Sequence, residues 1–328
     1  MEPKSRTRTD PRSTSIILFP GQGCQYVGMG SDLLDFPNVP EMFEVANQIL
    51  GYDILDICLN GPKLALDRTD YSQAAIFLVS LAAVEKLRFE KPTAVENCVA
   101  TAGFSVGELT SLVLAGALDF DTALRLVKIR GEAMKLVAEE SQSGLMNIIY
   151  GADGRIKLAC SAASEWCVRK GVHPEFAVCS VAYYLFPHCK VIGGHDEALR
   201  FIEANKRDFG IKVCRRLPDS AAFHTRLMEP AAMKFQNALE KTHISAPKIP
   251  VISNTTGLPM KSEAGIRQSL KWQISCACKL EQMLHGIYSR PRDSALPFTF
   301  QCGPGRSMLD IVEKVNLRAR RQMKRVYS

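Results

Sequence analysis

A single hydroxyl set between two glycines is where residue types and spacing first suggest chemistry in this chain. The stretch GFSVGE, residues 103–108, follows a short apolar run and leads into LTSLVLAGA. Gly103, Ser105 and Gly107 fit the pattern G-x-S-x-G, in which a sharp turn from strand to helix lifts a serine oxygen clear of a sheet. The glycines are needed because a Cβ there would collide with neighbouring backbone. The helix that follows aims its N-terminal amides and positive dipole end at the hydroxyl, so the N–H of Val106 is the natural donor to an oxyanion. A serine at its ordinary pKa is a poor nucleophile and needs a base. Of the six histidines, His173, His188 and His195 lie beside turns in a segment of different texture, and His243 and His285 sit among charged or amphipathic helix residues. His224 lies in DSAAFHTRLMEP, a small-residue stretch entering a helix, and is the candidate base. Asp219 precedes it by five residues, which is no special spacing. A backbone carbonyl holds an imidazole tautomer equally well, so a Ser–His dyad suffices.

Arg130 stands out on other grounds. The residues three, four and seven positions away (Val127, Leu126, Ala133, Met134, Ala123, Val137) are all apolar, so in a helix Arg130 projects from the buried stripe. Arg125 and Lys128 take other helix positions and read as solvated. An unpaired buried guanidinium is very costly. Two readings stand: an internal salt bridge, or a fork awaiting the carboxylate of a substrate. The early FPGQGCQYVGMG is Gly-rich but fits neither phosphate-binding glycine pattern. It ends a strand at a turn, which suits either a plain turn or a loop bringing the amide of Gln22 to a reacting oxygen.

These residues need elements to hold them. TSIILFPGQG reads as a β-branched strand broken at Pro20-Gly21, VENCVATAG as a short buried strand, and residues 72–87 as an apolar helix with Ser72 as cap. Residues 119–140 open with acids and continue at helical period. From Gly144 the texture changes to strand (GLMNIIY), helix, strand (EFAVCSVAYY), strand (HCKVIGG), helix and strand (IKVCRRL), the β-α-β-β-α-β order of a ferredoxin-like unit. Past it come IPVISNTTG, a strand with a turn, a helix near SEAGIRQSLKWQI, and LPFTFQCGPG, a strand ending in a Gly-Pro-Gly turn. The expected fold class is α/β. An α/β-hydrolase-like core with a parallel sheet takes residues 14–142 and 216–328. A small ferredoxin-like (βαββαβ) domain at 143–215 interrupts it, and residues 1–13 form a flexible N-terminal segment.

The chain has 328 residues, enough for a large core, and a formal charge of +7. Six basic residues and no acid lie in 314–328, which leaves +1 for the rest. That tail reads as a solvated final helix and would also suit an acidic protein partner. No apolar run reaches the ~18 residues of a membrane span. The eleven cysteines are scattered, and the one close pair, Cys276 and Cys278, has no histidine at ligand spacing. That is not a zinc pattern, and it suits reduced thiols inside a cell. The opening MEPKSRTRTDPRSTS lacks a signal-peptide apolar region and is at most the stub of an organelle transit segment.

Taken in order, the motifs resemble the malonyl-CoA:acyl carrier protein transacylases, most closely their mitochondrial branch. FPGQGCQYVGMG resembles the family's opening loop, GFSVGE its elbow, RLVKIRGEAM its arginine helix, AFHTRLMEP its histidine segment, SLKWQI the stretch with its glutamine, and QCGPG its late turn. The resemblance implies that Ser105 carries the acyl group, that His224 is its base and that the amides of Gln22 and Val106 form the oxyanion hole. It further implies that Arg130 grips the malonyl carboxylate, and that the backbone carbonyl near Gln273 orients His224 in place of an aspartate. Phe223 would fill the space of a substrate α-methyl, and Phe104 replaces a histidine found beside the serine in many members. Ala277 and Leu280 stand where a proline and a tryptophan are usual, and Gln301 where a glutamate is. The implied partners are malonyl-CoA and acyl carrier protein, with no nucleic acid and no membrane insertion, for a monomer in the mitochondrial matrix. No metal or other cofactor is implied, the CoA thioester and phosphopantetheinyl carrier being substrates. Two rivals remain at this stage: a serine thioesterase or hydrolase of acyl-CoA, and a non-catalytic carrier-protein-binding module.

Overall fold

The computed structural model describes residues 10–218, 220–291 and 293–326. Of the expected flexible segment 1–13, residues 1–9 lie outside the described residues, as does Asp219; Pro11–Ser13 form a 3-10 turn capped by Asp10. The strands are β1 Ser15–Phe19, β2 Cys98–Gly103, β3 Ser143–Tyr150, β4 Cys179–Phe186, β5 Cys189–His195, β6 Ile211–Leu217, β7 Val251–Ile252, β8 Pro259–Met260, β9 Phe298–Gln301 and β10 Met323–Arg325. Six of them form a mixed sheet in the order β10-β9-β1-β2-β7-β8, parallel except for the β7–β8 pair. β1 lies inside this sheet and is buried along its whole length, as an apolar strand covered on both faces must be. The expected parallel sheet thus carries one antiparallel edge strand. Its two residues return from the turn after IPVI and are too short to show a period in sequence.

In the register of β1 and β2, Phe19 stands opposite Gly103. The two strands end level, so the loops leaving them, 20–24 and 104–106, meet at the carboxyl edge of the sheet, where α/β folds build their sites. Gly21 makes the meeting close: a Cβ there would come within 2.5 Å of the Phe104 carbonyl oxygen.

The helices Thr69–Glu90 and Phe120–Glu140 pack on each other beside this sheet. The first begins three residues before the expected start at 72. Ser72 is buried in its first turn rather than capping it, with its hydroxyl turned back to the Thr69 carbonyl at 3.4 Å. The second is capped by Asp119, whose Oδ1 accepts from the Thr122 N–H at 2.8 Å. Arg125 is exposed as expected, but Lys128 is half-buried and donates to the Ile49 carbonyl at 3.1 Å.

The segment 143–217 forms a second, antiparallel sheet in the order β4-β5-β3-β6, ending two residues past the expected boundary at 215. The helices Ile156–Arg169 and Asp196–Asn205 bury one face of it, around Met146, Ile148, Ile192 and Ile202. Leu145, Val191 and Leu217 belong to the main core and line the cleft above Ser105.

The basic tail is not a single solvated helix. Two helices, Ser307–Val315 and Leu317–Arg321, are followed by β10, which joins the main sheet through β9 and buries Met323. Lys324 and Arg325 stay exposed on this edge strand, where charge discourages pairing with a further strand. All eleven cysteines are free thiols, and Cys276 alone is exposed. No helix among the described residues is long and apolar enough to cross a membrane.

Candidate active site

Ser105 ends the turn from β2 into the helix Gly107–Leu114 with φ at +54°, a left-handed conformation that non-glycine residues adopt at a cost. The flanking glycines make the turn possible. A Cβ on Gly103 would fall 1.9 Å from the Gly107 carbonyl carbon, and one on Gly107 would fall 2.7 Å from the Pro20 oxygen. The side chain of Asn254, just after β7, holds the strained turn. Its Oδ1 accepts from the Ser105 N–H at 2.8 Å and its Nδ2 donates to the Gly103 carbonyl at 2.7 Å.

His224 also has positive φ, at +59°, and is 1 % exposed. Its Nε2 lies 2.9 Å from Ser105 Oγ, and its Nδ1 lies 3.3 Å from the Cys276 carbonyl. A carbonyl only accepts, so Nδ1 carries the proton and Nε2 presents a lone pair to the serine. The backbone N–H of His224 donates to the Ile274 carbonyl at 3.1 Å, so the loop after the helix Glu263–Gln273 fixes both the backbone and the ring. Burial pushes the imidazole pKa down to about 3, helped by the positive charge of Arg130.

Arg130 is fully buried, as its place on the apolar stripe required. Its Nε donates to Gln273 Oε1 at 3.1 Å, its Nη1 to Gln73 Oε1 at 2.5 Å, and its Nη2 to Ser105 Oγ at 3.0 Å. These acceptors are two neutral amides and the nucleophile; no carboxylate of the described residues is bonded to it. Burial lowers its pKa to about 10, which leaves it cationic at neutral pH. Because Ser105 Oγ accepts from Nη2, its own hydrogen is directed to His224 Nε2. The cleft over these groups holds about 450 Å³ and is lined by Gln22, Met134, Tyr183 and Phe223 among others.

A serine, a neutral imidazole and a guanidinium bonded to no carboxylate, converging at the mouth of an α/β sheet, are the parts of an acyl-transfer site that selects an anionic acyl group. Residues 16–275 match the acyl transferase domain family. The chain belongs to the acyl transferase family. Within it, the chain is 46% identical over 319 residues to the probable malonyl-CoA-acyl carrier protein transacylase, mitochondrial, of Drosophila melanogaster, covering 97% of this chain and 84% of that one. It is 45% identical over 312 residues to the human malonyl-CoA-acyl carrier protein transacylase, mitochondrial, covering 95% and 80%. The solved structure of a type II polyketide acyl-carrier protein in complex with its malonyl-transacylase matches with a TM-score of 0.82 at 28% identity, over 95% of this chain and 94% of that one. The α/β fold with its mixed sheet is therefore that of the acyl transferases.

The remaining expected residues take definite places in this acyl transferase. Gln22 lines the cleft, with its side chain donating to Thr69 Oγ1 at 3.3 Å, and Val106 is buried at the residue after the nucleophile. The His224 ring is met by two backbone carbonyls of this loop, that of Gln273 and that of Cys276, the latter 3.3 Å from Nδ1. The Gln273 side chain is engaged with Arg130, with the Ser105 carbonyl at 3.0 Å and with Glu108. Phe223 borders the cleft at 5 % exposure, and Phe104 packs edge-on against Tyr183 with centroids 5.1 Å apart. Gln301 uses the donor that a glutamate lacks, binding the Gly305 carbonyl at 2.8 Å while its Oε1 accepts from the Leu309 N–H. Sequence reasoning did not find Asn254, Gln73, Glu108 or Tyr183. Gln73 and Glu108 carried the signal that exposed Arg130, a polar side chain in an apolar helical run. Among the described residues no group of three His, Cys, Asp or Glu gathers as metal ligands would.

Proposed function

We propose that the enzyme moves a malonyl group from malonyl-CoA to the phosphopantetheine thiol of acyl carrier protein through an ester on Ser105. The observation that carries this reading is Arg130: a buried cation, bonded to neutral groups and to Ser105, which itself lines the cleft. The malonyl carboxylate supplies the directly bonded anionic partner that no side chain provides. In the first half-reaction His224 Nε2 takes the Ser105 proton and Oγ attacks the thioester carbonyl. The N–H groups of Gln22 and Val106 receive the oxyanion. The C–S bond then breaks, and the CoA thiolate takes the proton from the imidazolium. In the second half the carrier thiol gives its proton to His224, its sulfur attacks the ester, and Ser105 leaves with that proton. An imidazolium so buried beside Arg130 is a strong acid, which favours rapid return of the proton to the leaving group. All steps use the chain's own side chains and amides, without a metal or other cofactor.

At the level of architecture, we read residues 14–142 and 216–328 as an α/β-hydrolase-like core and 143–215 as a ferredoxin-like insert. The strand order β4-β5-β3-β6 with two covering helices supports the second assignment. The working form is a monomer, and the setting is the mitochondrial matrix, in keeping with the mitochondrial names of its fly and human relatives. Incubation with malonyl-CoA followed by intact mass measurement tests the chemistry. The expected result is one retained malonyl group, absent in Ser105→Ala and discharged by phosphopantetheinylated carrier protein. Continuous CoA release without acceptor would instead mark a thioesterase, and no reaction at all a docking module.

A further inference from the structure

Behind the nucleophile lies a buried carboxylate that no step of the transfer uses. Glu108 sits in the first turn of the helix Gly107–Leu114 and is fully buried. Its oxygens accept from the Asn254 N–H at 3.0 Å, from the Ser269 hydroxyl at 3.4 Å and from the side-chain amide of Gln273. The cation it feels is Arg130, which it reaches through Gln273.

Burial raises the Glu108 pKa to about 7, so above that pH it is mainly the carboxylate, which only accepts hydrogen bonds. Gln273 must therefore turn its Nε2 toward Glu108, where the same nitrogen also donates to the Ser105 carbonyl at 3.0 Å. That leaves Oε1 as the atom facing Arg130 Nε. With Gln73 Oε1 on Nη1, the guanidinium is held at two corners, and Nη2 is aimed at the oxygen on which the ester forms. One carboxylate thus decides which way an amide points, and the amide decides how the guanidinium lies.

We infer that Glu108 is a positioning residue for acyl selection: acting through Gln273, it orients Arg130 to grip the free carboxylate of the acyl group. The inference rests on the clamp role proposed for Arg130 above. Glu108→Gln isolates it. The new Oε1 still accepts from the Asn254 N–H, so the bonds holding the nucleophile's turn are preserved. The new Nε2 meets Gln273 Nε2 donor to donor, and relief by an amide flip sets the Gln273 nitrogen against Arg130 Nε. Either outcome disturbs the guanidinium.

The experiment measures kcat/KM for malonyl-CoA and acetyl-CoA, with carrier protein as acceptor, in wild type, Glu108→Gln, Gln273→Met and the double variant. A parallel measurement follows inactivation by phenylmethylsulfonyl fluoride, which reports Ser105 without needing the clamp. In Glu108→Gln the malonyl-to-acetyl ratio should fall about tenfold to a hundredfold, the range for losing a charge-assisted hydrogen bond. The fall should come mainly through KM for malonyl-CoA, while sulfonyl fluoride inactivation keeps most of its rate. Gln273→Met should lower the ratio comparably and the double variant no further, as expected of two residues acting in series. Should Glu108→Gln not fold, Glu108→Asp gives the second test: it keeps the charge but withdraws it from Gln273, and should lower the ratio about threefold. An unchanged ratio in these variants overturns the inference, as do equal losses for both acyl groups together with lost inactivation, which describe a purely structural residue. A wild-type enzyme with no malonyl preference would instead overturn the clamp reading itself.

Discussion

At the scale of single residues, the site works because each group fixes the proton of the next. The Cys276 carbonyl places a hydrogen on His224 Nδ1, Arg130 Nη2 occupies one lone pair of Ser105 Oγ, and the serine proton has one direction left. The cost is a neutral imidazole buried far from its ordinary protonation, and this gives a sign for the pH dependence of stability. His224 is depressed to about 3 when folded and sits near 6.5 when unfolded, so the unfolded chain takes up a proton in that window and the folded chain does not. Its contribution is full above pH 6.5 and is lost as pH falls toward 3. Glu108, raised to about 7 by burial, acts with opposite sign between 4.5 and 7, and comparing variants at His224 cancels it. Denaturant unfolding at pH 7.5 and pH 5 should show His224→Gln losing about 2 kcal/mol less than wild type between the two. Equal losses would contradict a neutral buried imidazole. Phe223 offers a second check. Replacing it with Ala should raise kcat/KM for methylmalonyl-CoA relative to malonyl-CoA about tenfold, the worth of room for one methyl group, with a stability cost of about 3 kcal/mol. No change in that ratio would remove Phe223 from the specificity argument. Ser105, His224 and Arg130 were legible in sequence because each is an odd residue for its surroundings. Asn254 and Gln273 were harder: their partners lie more than a hundred residues away in sequence, and nothing local announces an amide that reaches back to another strand's turn.

At the scale of elements, two strands ending level and one loop carry the geometry. The elbow's left-handed serine is sustained by Asn254, which bonds the backbone on both sides of Phe104. Asn254→Ala leaves a buried N–H and a buried carbonyl without partners, so stability should fall by about 2–4 kcal/mol. The rate of Ser105 acylation should fall at least tenfold, read by stopped acylation with malonyl-CoA. Full-rate acylation in a folded variant would show that the turn holds itself. The order of long elements was readable because 3.6-residue periods and β-branched runs persist over many residues. The two-residue β8 and three-residue β10 were not, since their placement comes from pairing with β7 and β9 rather than from any pattern of their own. The final basic run looked like a solvated helix for the same reason: what ties it to the sheet is backbone pairing with β9, and Met323 is the one buried side chain of β10.

At the scale of the whole molecule, the second sheet and the main sheet meet over the nucleophile. The loop after Gln273 joins them: the Cys278 N–H donates to the Ala182 carbonyl and the Tyr184 N–H to the Cys278 carbonyl, both at 2.9 Å, two residues from the carbonyl that orients His224. Tyr183, from the second sheet, packs edge-on against the His224 ring at 5.2 Å. Binding in this cleft is therefore expected to slow hydrogen exchange on both sides, around 104–107 and around 182–185, when malonyl-CoA is added. Slowing on one side alone would mean that the second sheet takes no part in holding the acyl group. The β-α-β-β-α-β order of the segment was visible in the sequence, but that its free face would roof the site was not, because orientation between units is set by contacts distant in sequence. All of this converges on a buried guanidinium to which no carboxylate of the described residues is directly bonded. The most direct test is the malonyl-to-acetyl ratio of kcat/KM in Arg130→Ala. The account expects the preference for malonyl-CoA to collapse by a hundredfold or more, on the order of the 3 kcal/mol lost when a buried ion pair is broken. A variant that folds, acylates Ser105 and still strongly prefers malonyl-CoA would contradict it.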